Sequence, residues 1–190
     1  MSLFKKIPTP VFGVLMAAKT LTLLAMFLLA GCTTAPTVRV DQEPAARLSS
    51  YRTFSFYNHL STDKPSYSSI MSSHLKQATR AELERHGYVY DERNPDLRVN
   101  FDVRIADRQE LRSYPTSGGV FLRRAGVSDY NLVNYRQGTV SIDIVDAKRE
   151  SLLWQGIADG RVDDKAMENP GKAIDTVVKH IFLGFPLSQK

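Results

Sequence analysis

The alternation of residues 97–106 is the feature that most constrains the fold. Apolar residues there alternate with four polar residues and one alanine. The five apolar residues are Leu97, Val99, Phe101, Val103 and Ile105. Successive side chains of a β-strand point to opposite faces of the sheet. The pattern therefore predicts a strand with one buried face and one solvated face, which is typical of an antiparallel sheet covered on one side.

Three further segments predict strands. Residues 51–57, "YRTFSFY", are aromatic and β-rich, and they open the folded part. Val140, Ile142 and Ile144 alternate with polar residues, and "DAKRE" then indicates a turn before "SLLWQGIADGRV". We expect residues 139–162 to form an antiparallel hairpin.

Two segments have helical periodicity. Residues 68–86 carry Met71, Leu75, Ala78 and Ala81 at helical spacing. Asn169-Pro170 is typical of an N-cap and first helical residue. The apolar stripe that follows is Ile174, Val177, Val178, Ile181 and Phe185. The order β-α-β-β-β-α predicts an α+β fold, a two-layer sandwich of a mainly antiparallel sheet and two amphipathic helices.

The basic charge lies mainly at the start of the chain. The formal net charge is +5, but the first 31 residues contain three lysines and no acidic residue, which leaves 22 basic and 20 acidic residues in the remainder. We therefore expect no nucleic-acid partner. A basic start, the apolar run 21–30 and small residues after it are typical of a secretory signal. Met16 is an alternative translation start to Met1.

Cys32 is the single cysteine and directly follows this apolar run. Leu29-Ala30-Gly31-Cys32 resembles the lipobox of bacterial lipoproteins, which implies cleavage between Gly31 and Cys32 and acyl chains such as palmitate on Cys32. An incidental cysteine after an ordinary signal peptide is the alternative. Thr33 stands where sorting rules place Asp in inner-membrane lipoproteins, so the resemblance implies the outer membrane, with the domain facing the periplasm.

These features predict three parts of the chain. Residues 1–31 are a lipoprotein signal peptide, and residues 32–46 are the lipidated cysteine and a linker with Pro36 and Pro44. Residues 47–190 are the periplasmic α+β domain.

A segment at 112–134 lacks clear periodicity, and we predict a long loop there. Its candidate interaction residues are Tyr114, Phe121, Leu122, Arg123, Arg124 and Tyr130. Aromatic and basic groups in a loop suit insertion into a partner or contact with a lipid surface. A loop folded back over its own core is the equally weighted alternative.

No catalytic motif is present, so we predict no enzymatic activity, no catalytic residue, no cofactor and no metal site. His59, His74, His86 and His180 are scattered along the chain. Asp102, Arg104, Ser141 and Asp143 should share the polar sheet face. That face either docks a partner or is simply solvated, and the second interpretation is favoured.

Four stretches of the chain carry a family resemblance: "YRTFSFY", "ELERHGYVYDERNPDLRVNFDV", "YRQGTVSIDIVDAKRESLLWQGIA" and "IFLGFP". Together they resemble the domain-of-unknown-function 4136 family of bacterial envelope lipoproteins, over roughly residues 40–187. The most specific positions are Gly138, Thr139, Asp143, Asp146, Trp154, Gly156, Phe185 and Pro186. The resemblance implies a lipid-anchored secreted α+β domain and transfers no catalytic set.

The expected function is a non-enzymatic, lipid-anchored envelope protein that serves as an accessory or scaffold in an envelope assembly. It would be held to the membrane by the acyl chains on Cys32 and would contact an envelope protein. A binder or carrier of a lipid or small apolar ligand is the alternative. Bulky apolar residues such as Phe54, Phe101 and Trp154 weigh against a large cavity.

Overall fold

A computed structural model describes residues 35–115 and 128–189. The chain divides into the units Met1–Ala35 and Pro36–Lys190, and the fold described below is that of the second. Its elements in chain order are β1 Thr37–Gln42, a 3₁₀ turn Leu48–Ser50, β2 Thr53–Phe56, α1 Ile70–Arg85, β3 Val89–Tyr90, β4 Leu97–Pro115, β5 Ser128–Asp146, β6 Leu152–Arg161, α2 Asp164–Glu168 and α3 Pro170–Phe182.

The strands form one six-stranded mixed sheet in the order β1-β6-β5-β4-β2-β3. The pairs β1–β6, β6–β5 and β5–β4 are antiparallel, whereas β4–β2 and β2–β3 are parallel. The α+β class is confirmed. The expected element order is incomplete, because it lacks β1, β3 and α2. Within the described ranges, no helix is long and apolar enough to cross a membrane.

The alternating strand pattern of β4 and the predicted antiparallel hairpin over residues 139–162 are both confirmed. Every residue of β4 pairs with β5 in a continuous antiparallel register, and β5 pairs with β6 after the turn at 147–149. The inward-facing residues Leu97, Val99, Phe101, Ile142 and Ile144 are all fully buried. These side chains supply the sheet's share of the core.

Helix α1 confirms the predicted helix over 68–86. Ser69 is its N-cap, since the Ser69 side chain accepts a hydrogen bond from the Ser72 backbone N–H at 3.0 Å. The buried face differs from the expected stripe, because Ala81 is exposed and Glu82 is buried. The carboxylate of Glu82 forms an ion pair with Arg85. A buried charge needs such a partner.

Helix α3 begins where Asn169-Pro170 predicted. Pro170 takes the first helical position, but the Asn169 side chain makes no capping hydrogen bond. The buried residues of the helix are Ile174, Val178, Ile181 and Phe182. This spacing of three and four residues is that of an amphipathic helix packed on a core.

An aromatic cluster joins β6 to the end of α3. The ring centroid of Trp154 lies 4.9 Å from that of Phe185 and 5.5 Å from that of Phe182. Such pairs contribute about 0.5–1.5 kcal/mol each beyond the burial of their surface. Trp154 is 1% exposed, which confirms its predicted place in the core.

The predicted linker 32–46 is wrong over residues 37–42, which form strand β1. Val38 lies opposite Ala158 of β6 and packs against the core. The segment holds only two valines and follows Pro36, so its alternation is too short to stand out. Pairing with the free edge of β6 satisfies its backbone groups and makes it a strand.

We predict that Gly156→Ala destabilises the domain. A Cβ at this position would overlap the Trp154 indole and a methyl group of Ile181. Overpacking of this kind costs about 1–3 kcal/mol, measured as a loss of unfolding free energy in urea. Gly184→Ala is the matched control, because nothing lies within 4 Å of the added Cβ. Equal stability of the two variants would contradict this packing.

Candidate functional site

A polar cleft of about 640 Å³ lies on the sheet face opposite the core. It is lined by residues of β1, β4, β5 and β6. Asp102, Arg104, Ser141 and Asp143 all line it, which confirms that they share one face. Their meeting follows from the register, in which Asp102 lies opposite Ser141.

Hydrogen bonds link side chains across the floor of the cleft. Asp143 Oδ1 accepts from Gln155 Nε2 at 2.7 Å and from the Ser141 hydroxyl at 3.3 Å. The Thr139 hydroxyl donates to Asp159 Oδ1 at 2.6 Å. The carboxylates of Asp143 and Asp159 are thus hydrogen-bonded to neutral side chains of the same face. The surface presents hydroxyl, amide and carboxylate groups that can form hydrogen bonds.

Charge in the cleft is balanced in sign. Its charged residues are Arg39, Arg104, Arg108, Asp102, Asp143 and Asp159. Arg104 Nε donates to Asp102 Oδ2 at 2.9 Å, and both side chains are exposed. An exposed pair of this kind contributes at most about 1 kcal/mol. The cleft therefore carries as many positive as negative side chains and has no net charge that would favour anions or cations.

The histidines do not form a metal centre in the part of the chain that the structure describes, where no three potential ligands come together. His86 Nδ1 lies 2.8 Å from the Glu82 carbonyl oxygen, and His180 Nδ1 lies 2.7 Å from that of Thr176. Burial lowers the pKa of His86, and the charge of Arg85 lowers it further. Neutral His86 packs against the C-terminal aromatic rings.

The outer halves of β4 and β5 extend beyond the rest of the sheet. β2 pairs with β4 only as far as Val99, and β6 pairs with β5 only from Gln137 onward. Within the described residues, no third strand pairs with 107–115 or 128–136, and we call these two segments the β4–β5 ribbon. The predicted loop 112–134 is wrong at 112–115 and 128–134, which are strand.

Exposure on both faces explains why the strands were not predicted at 112–115 and 128–134 of the ribbon. Alternation marks a strand only where one face is buried, and most described side chains of the ribbon are exposed. Leu111 and Leu132 stand directly opposite each other and are 64% and 59% exposed. Together with exposed Tyr130 they form an uncovered apolar strip.

The predicted interaction residues do not all come together. Tyr114 lies on the polar-cleft side of the ribbon, whereas Tyr130 lies opposite Ser113 on the other side. Both tyrosines are exposed. The remaining four, Phe121, Leu122, Arg123 and Arg124, lie outside the described residues, and their role stays a prediction.

Arg161, the last residue of β6, contacts side chains at the base of the ribbon. Its guanidinium carbon lies 3.9 Å from the ring centroid of Tyr135, a close cation–π contact. The same guanidinium forms an ion pair with Glu110, which also accepts from Arg112 Nε at 3.4 Å. Sequence reasoning missed this link because its members are distant along the chain.

Asp146 is a buried hub at the turn between β5 and β6. Its Oδ1 accepts from the backbone N–H groups of Lys148 and Arg149 at 2.9 and 2.8 Å. Its Oδ2 accepts from the Tyr51 hydroxyl at 2.8 Å and pairs with Arg149 Nε at 3.0 Å. Burial acts to raise the pKa of Asp146, but these hydrogen bonds and the nearby cation together hold it below its usual value.

A second cleft, of about 420 Å³, lies beside this hub. It is lined by residues that lead from β1 to the 3₁₀ turn and by the start of β6. Arg149 lines it and also lies within reach of the Tyr51 hydroxyl. We assign this cleft to the packing of the turn against the N-terminal segment.

The family match decides what the chain is. The domain of unknown function DUF4136 matches residues 38–187. The chain belongs to the DUF4136 family. The match begins within β1, so the family's domain includes the strand that the predicted linker had left out.

Solved structures are similar to this DUF4136 domain at low sequence identity. A PDZ domain protein from Parabacteroides distasonis is similar at 13% identity with a TM-score of 0.55, covering 91% of this chain and 41% of that one. The chain thus spans less than half the length of that protein. The PelC dodecamer from Paraburkholderia phytofirmans is similar at 10% identity with a TM-score of 0.47, covering 82% and 99%. Among curated proteins, no sequence matches the chain.

The positions that carried the resemblance are mainly structural in this DUF4136 domain. Trp154, Gly156 and Phe185 meet in the aromatic cluster, and Asp146 holds the turn. A Cβ at Gly138 would lie 2.9 Å from a Val162 methyl group. The family signature thus describes packing more than it describes chemistry.

We predict that Asp146→Asn lowers the unfolding free energy by about 2 kcal/mol at neutral pH, since hydrogen bonds to a charged group are worth about 1.5–3 kcal/mol. The carboxyl has a lower pKa in the folded chain than its value of about 3.9 in an unfolded chain. Its stabilising contribution is complete above that value and is lost as pH falls through the folded-state pKa.

Urea unfolding of wild type and variant between pH 3 and pH 7 tests this. The stability difference should shrink below about pH 4. Asp175→Asn, at an exposed carboxylate of α3, is the control and should change stability little. A constant difference at all pH values would count against the hub.

Proposed function

We propose that this DUF4136 protein is a non-enzymatic envelope lipoprotein that serves as an accessory or scaffold component of an envelope assembly. Acyl chains on Cys32 hold it in the outer membrane, and its domain, a two-layer sandwich, faces the periplasm. Two or three acyl chains anchor a protein stably, whereas one anchors it only weakly. Cys32 lies outside the described residues, and the lipobox resemblance supports this part of the proposal.

The uncovered apolar strip of the β4–β5 ribbon is the observation that carries the scaffold function. Leu111 and Leu132 stand opposite each other on a two-stranded projection, both mostly exposed. A two-stranded ribbon without a packed face is marginal by itself. Retention of apolar groups on such a projection favours a surface that a protein partner covers.

The polar cleft adds a second contact surface on the same strands. Its amides, hydroxyls and charges of both signs suit the rim of a protein interface, where polar groups exchange hydrogen bonds with a partner. The ribbon and the cleft both belong to β4 and β5. Because the apolar strip lies on the opposite face of these strands, the cleft is a separate contact surface.

The carrier alternative has less support. The region between sheet and helices is filled by fully buried side chains such as Trp154, Phe101 and Phe182. The two clefts described above are lined largely by polar and charged groups. A lipid carrier requires an apolar cavity.

Partner capture tests the scaffold function. The full-length, affinity-tagged protein is purified from its own envelope in mild detergent, and co-purifying proteins and lipids are measured by mass spectrometry. We expect a stoichiometric protein whose recovery falls at least about tenfold in Leu111→Ser/Leu132→Ser, as for loss of an interface anchor. Leu183→Ser, at a residue 79% exposed elsewhere, should leave recovery unchanged.

Two results would reject this function. One is a stoichiometric lipid or metabolite with no protein, which favours the carrier. The other is a partner recovered equally from the ribbon variant and the control. Thermal unfolding of both variants accompanies the capture, so that loss of the fold is not mistaken for loss of binding.

Substitution of Cys32 tests the anchor separately. We predict that Cys32→Ser moves the protein from the membrane fraction to the soluble periplasmic fraction and abolishes incorporation of labelled palmitate. Thr33→Ser is the control, because the cysteine is retained. A Cys32→Ser protein that still incorporates labelled palmitate at the wild-type level would contradict lipid anchoring through Cys32.

A further inference from the structure

The outer edge of β4 is open over most of its length. β2 pairs with β4 only up to Val99, whose carbonyl accepts a last hydrogen bond from the Tyr57 N–H at 3.1 Å. From Phe101 to Pro115, no strand of the described residues lies on that side. A typical whole strand has about 5–6 residues. An edge this long offers a ladder of backbone donors and acceptors to another strand.

We propose that two copies of this chain pair antiparallel through the open edges of β4, with the two-fold axis at Asp107. In this register, residues equally far before and after Asp107 face each other across the interface. Residues on one face of the sheet then stay on the same face of the joined sheet. The occupant of the edge is thus a second copy of the same strand.

Charge complementarity on the polar face selects this register. Asp102 of one copy faces Arg112 of the other, and Arg104 faces Glu110. Because the interface is symmetric, each of these pairs occurs twice. Opposite charges directly across two strands stabilise their pairing, and like charges oppose it.

The apolar face agrees with the same register. Val103, which is half-buried at the rim of the core, faces Leu111 of the other copy. Leu132 lies beside Leu111 on β5, and Val140 lies beside Val103. The pairing therefore places the uncovered apolar strip of one copy next to the core rim of the other.

The two nearest registers are disfavoured by charge. With the axis moved to Arg108, that arginine faces Arg108 of the other copy, and Arg104 faces Arg112. With the axis moved to Ala106, Arg104 faces Arg108. Like charges directly opposite each other destabilise a strand pair.

The next two registers fail for other reasons. An axis at Gln109 places apolar Leu111 opposite Asp107. An axis at Ile105 places apolar Val103 opposite Asp107. Of these five registers, only the axis at Asp107 combines opposite charges across the polar face with two apolar residues, Val103 and Leu111, opposite each other on the apolar face, where Ile105 then faces Gln109.

One like-charge contact remains in the proposed pair, that of Asp107 with its own copy. Arg136 stands directly opposite each Asp107 on β5, so the two carboxylates are flanked by two guanidinium groups. The residual repulsion gives a specific expectation. Removing the charge with Asp107→Asn should tighten the dimer by about threefold.

Disulfide trapping tests the register in the full-length protein in detergent. Asp107→Cys should crosslink to itself under mild oxidation, because the two positions face each other. Gln109→Cys should not, since its two copies lie about four residues, or roughly 13 Å, apart along the strands, too far for a disulfide. Wild type, which carries only Cys32, controls for the native cysteine.

Sedimentation measures the strength of the pair. Leu111→Lys should weaken dimerisation at least about tenfold, and Leu183→Lys, at an exposed residue outside the edge, should not change it. A monomeric wild type, or equal crosslinking of Asp107→Cys and Gln109→Cys, overturns the proposal. A monomer that still captures an envelope protein rejects this pairing and leaves the scaffold function standing.

Discussion

The antiparallel ladder between β4 and β5 is the interaction on which the rest of the fold depends. It is the longest pairing in the sheet, and the shorter strands attach to its two sides, β2 to β4 and β6 to β5. β1 and β3 attach one step further out. The inner half of the ladder supplies five fully buried apolar side chains to the core. Its outer half carries the apolar strip to which we assign partner binding, so in this proposal one pairing serves both stability and function.

Burial decides how much of the fold the sequence could predict. Where one face of an element is buried, as in β4 around Phe101 or in α3, the apolar period is clear and the element was correctly predicted. β1 was missed because it is a short edge strand whose pairing partner lies far along the chain. The outer part of the ribbon, at 112–115 and 128–134, was missed because water reaches both of its faces, and no periodicity distinguishes a doubly exposed strand from a loop.

The candidate site was predictable only in part. The meeting of Asp102 with Ser141 followed from alternation, since both belong to the outer face of adjacent strands. The opposition of Leu111 and Leu132 needs the register of strands, which no local pattern supplies. Asp146 accepts hydrogen bonds both from the backbone of its own turn and from the hydroxyl of Tyr51, which is distant along the chain. The sequence "DAKRE" predicted the turn, but no sequence pattern predicted the hydrogen bond between Asp146 and Tyr51.

The pairing of the first described strand with the last has a consequence for the order of folding. The first described strand, β1, pairs with the last, β6, and the backbone N–H of Gln189 donates to the Ser49 carbonyl at 2.8 Å. The native sheet therefore cannot close until nearly the whole polypeptide is available. Contacts so distant in sequence slow folding. During synthesis, the early part of this domain stays incompletely folded, and it becomes a stable unit only when β6 and the C-terminal segment are available.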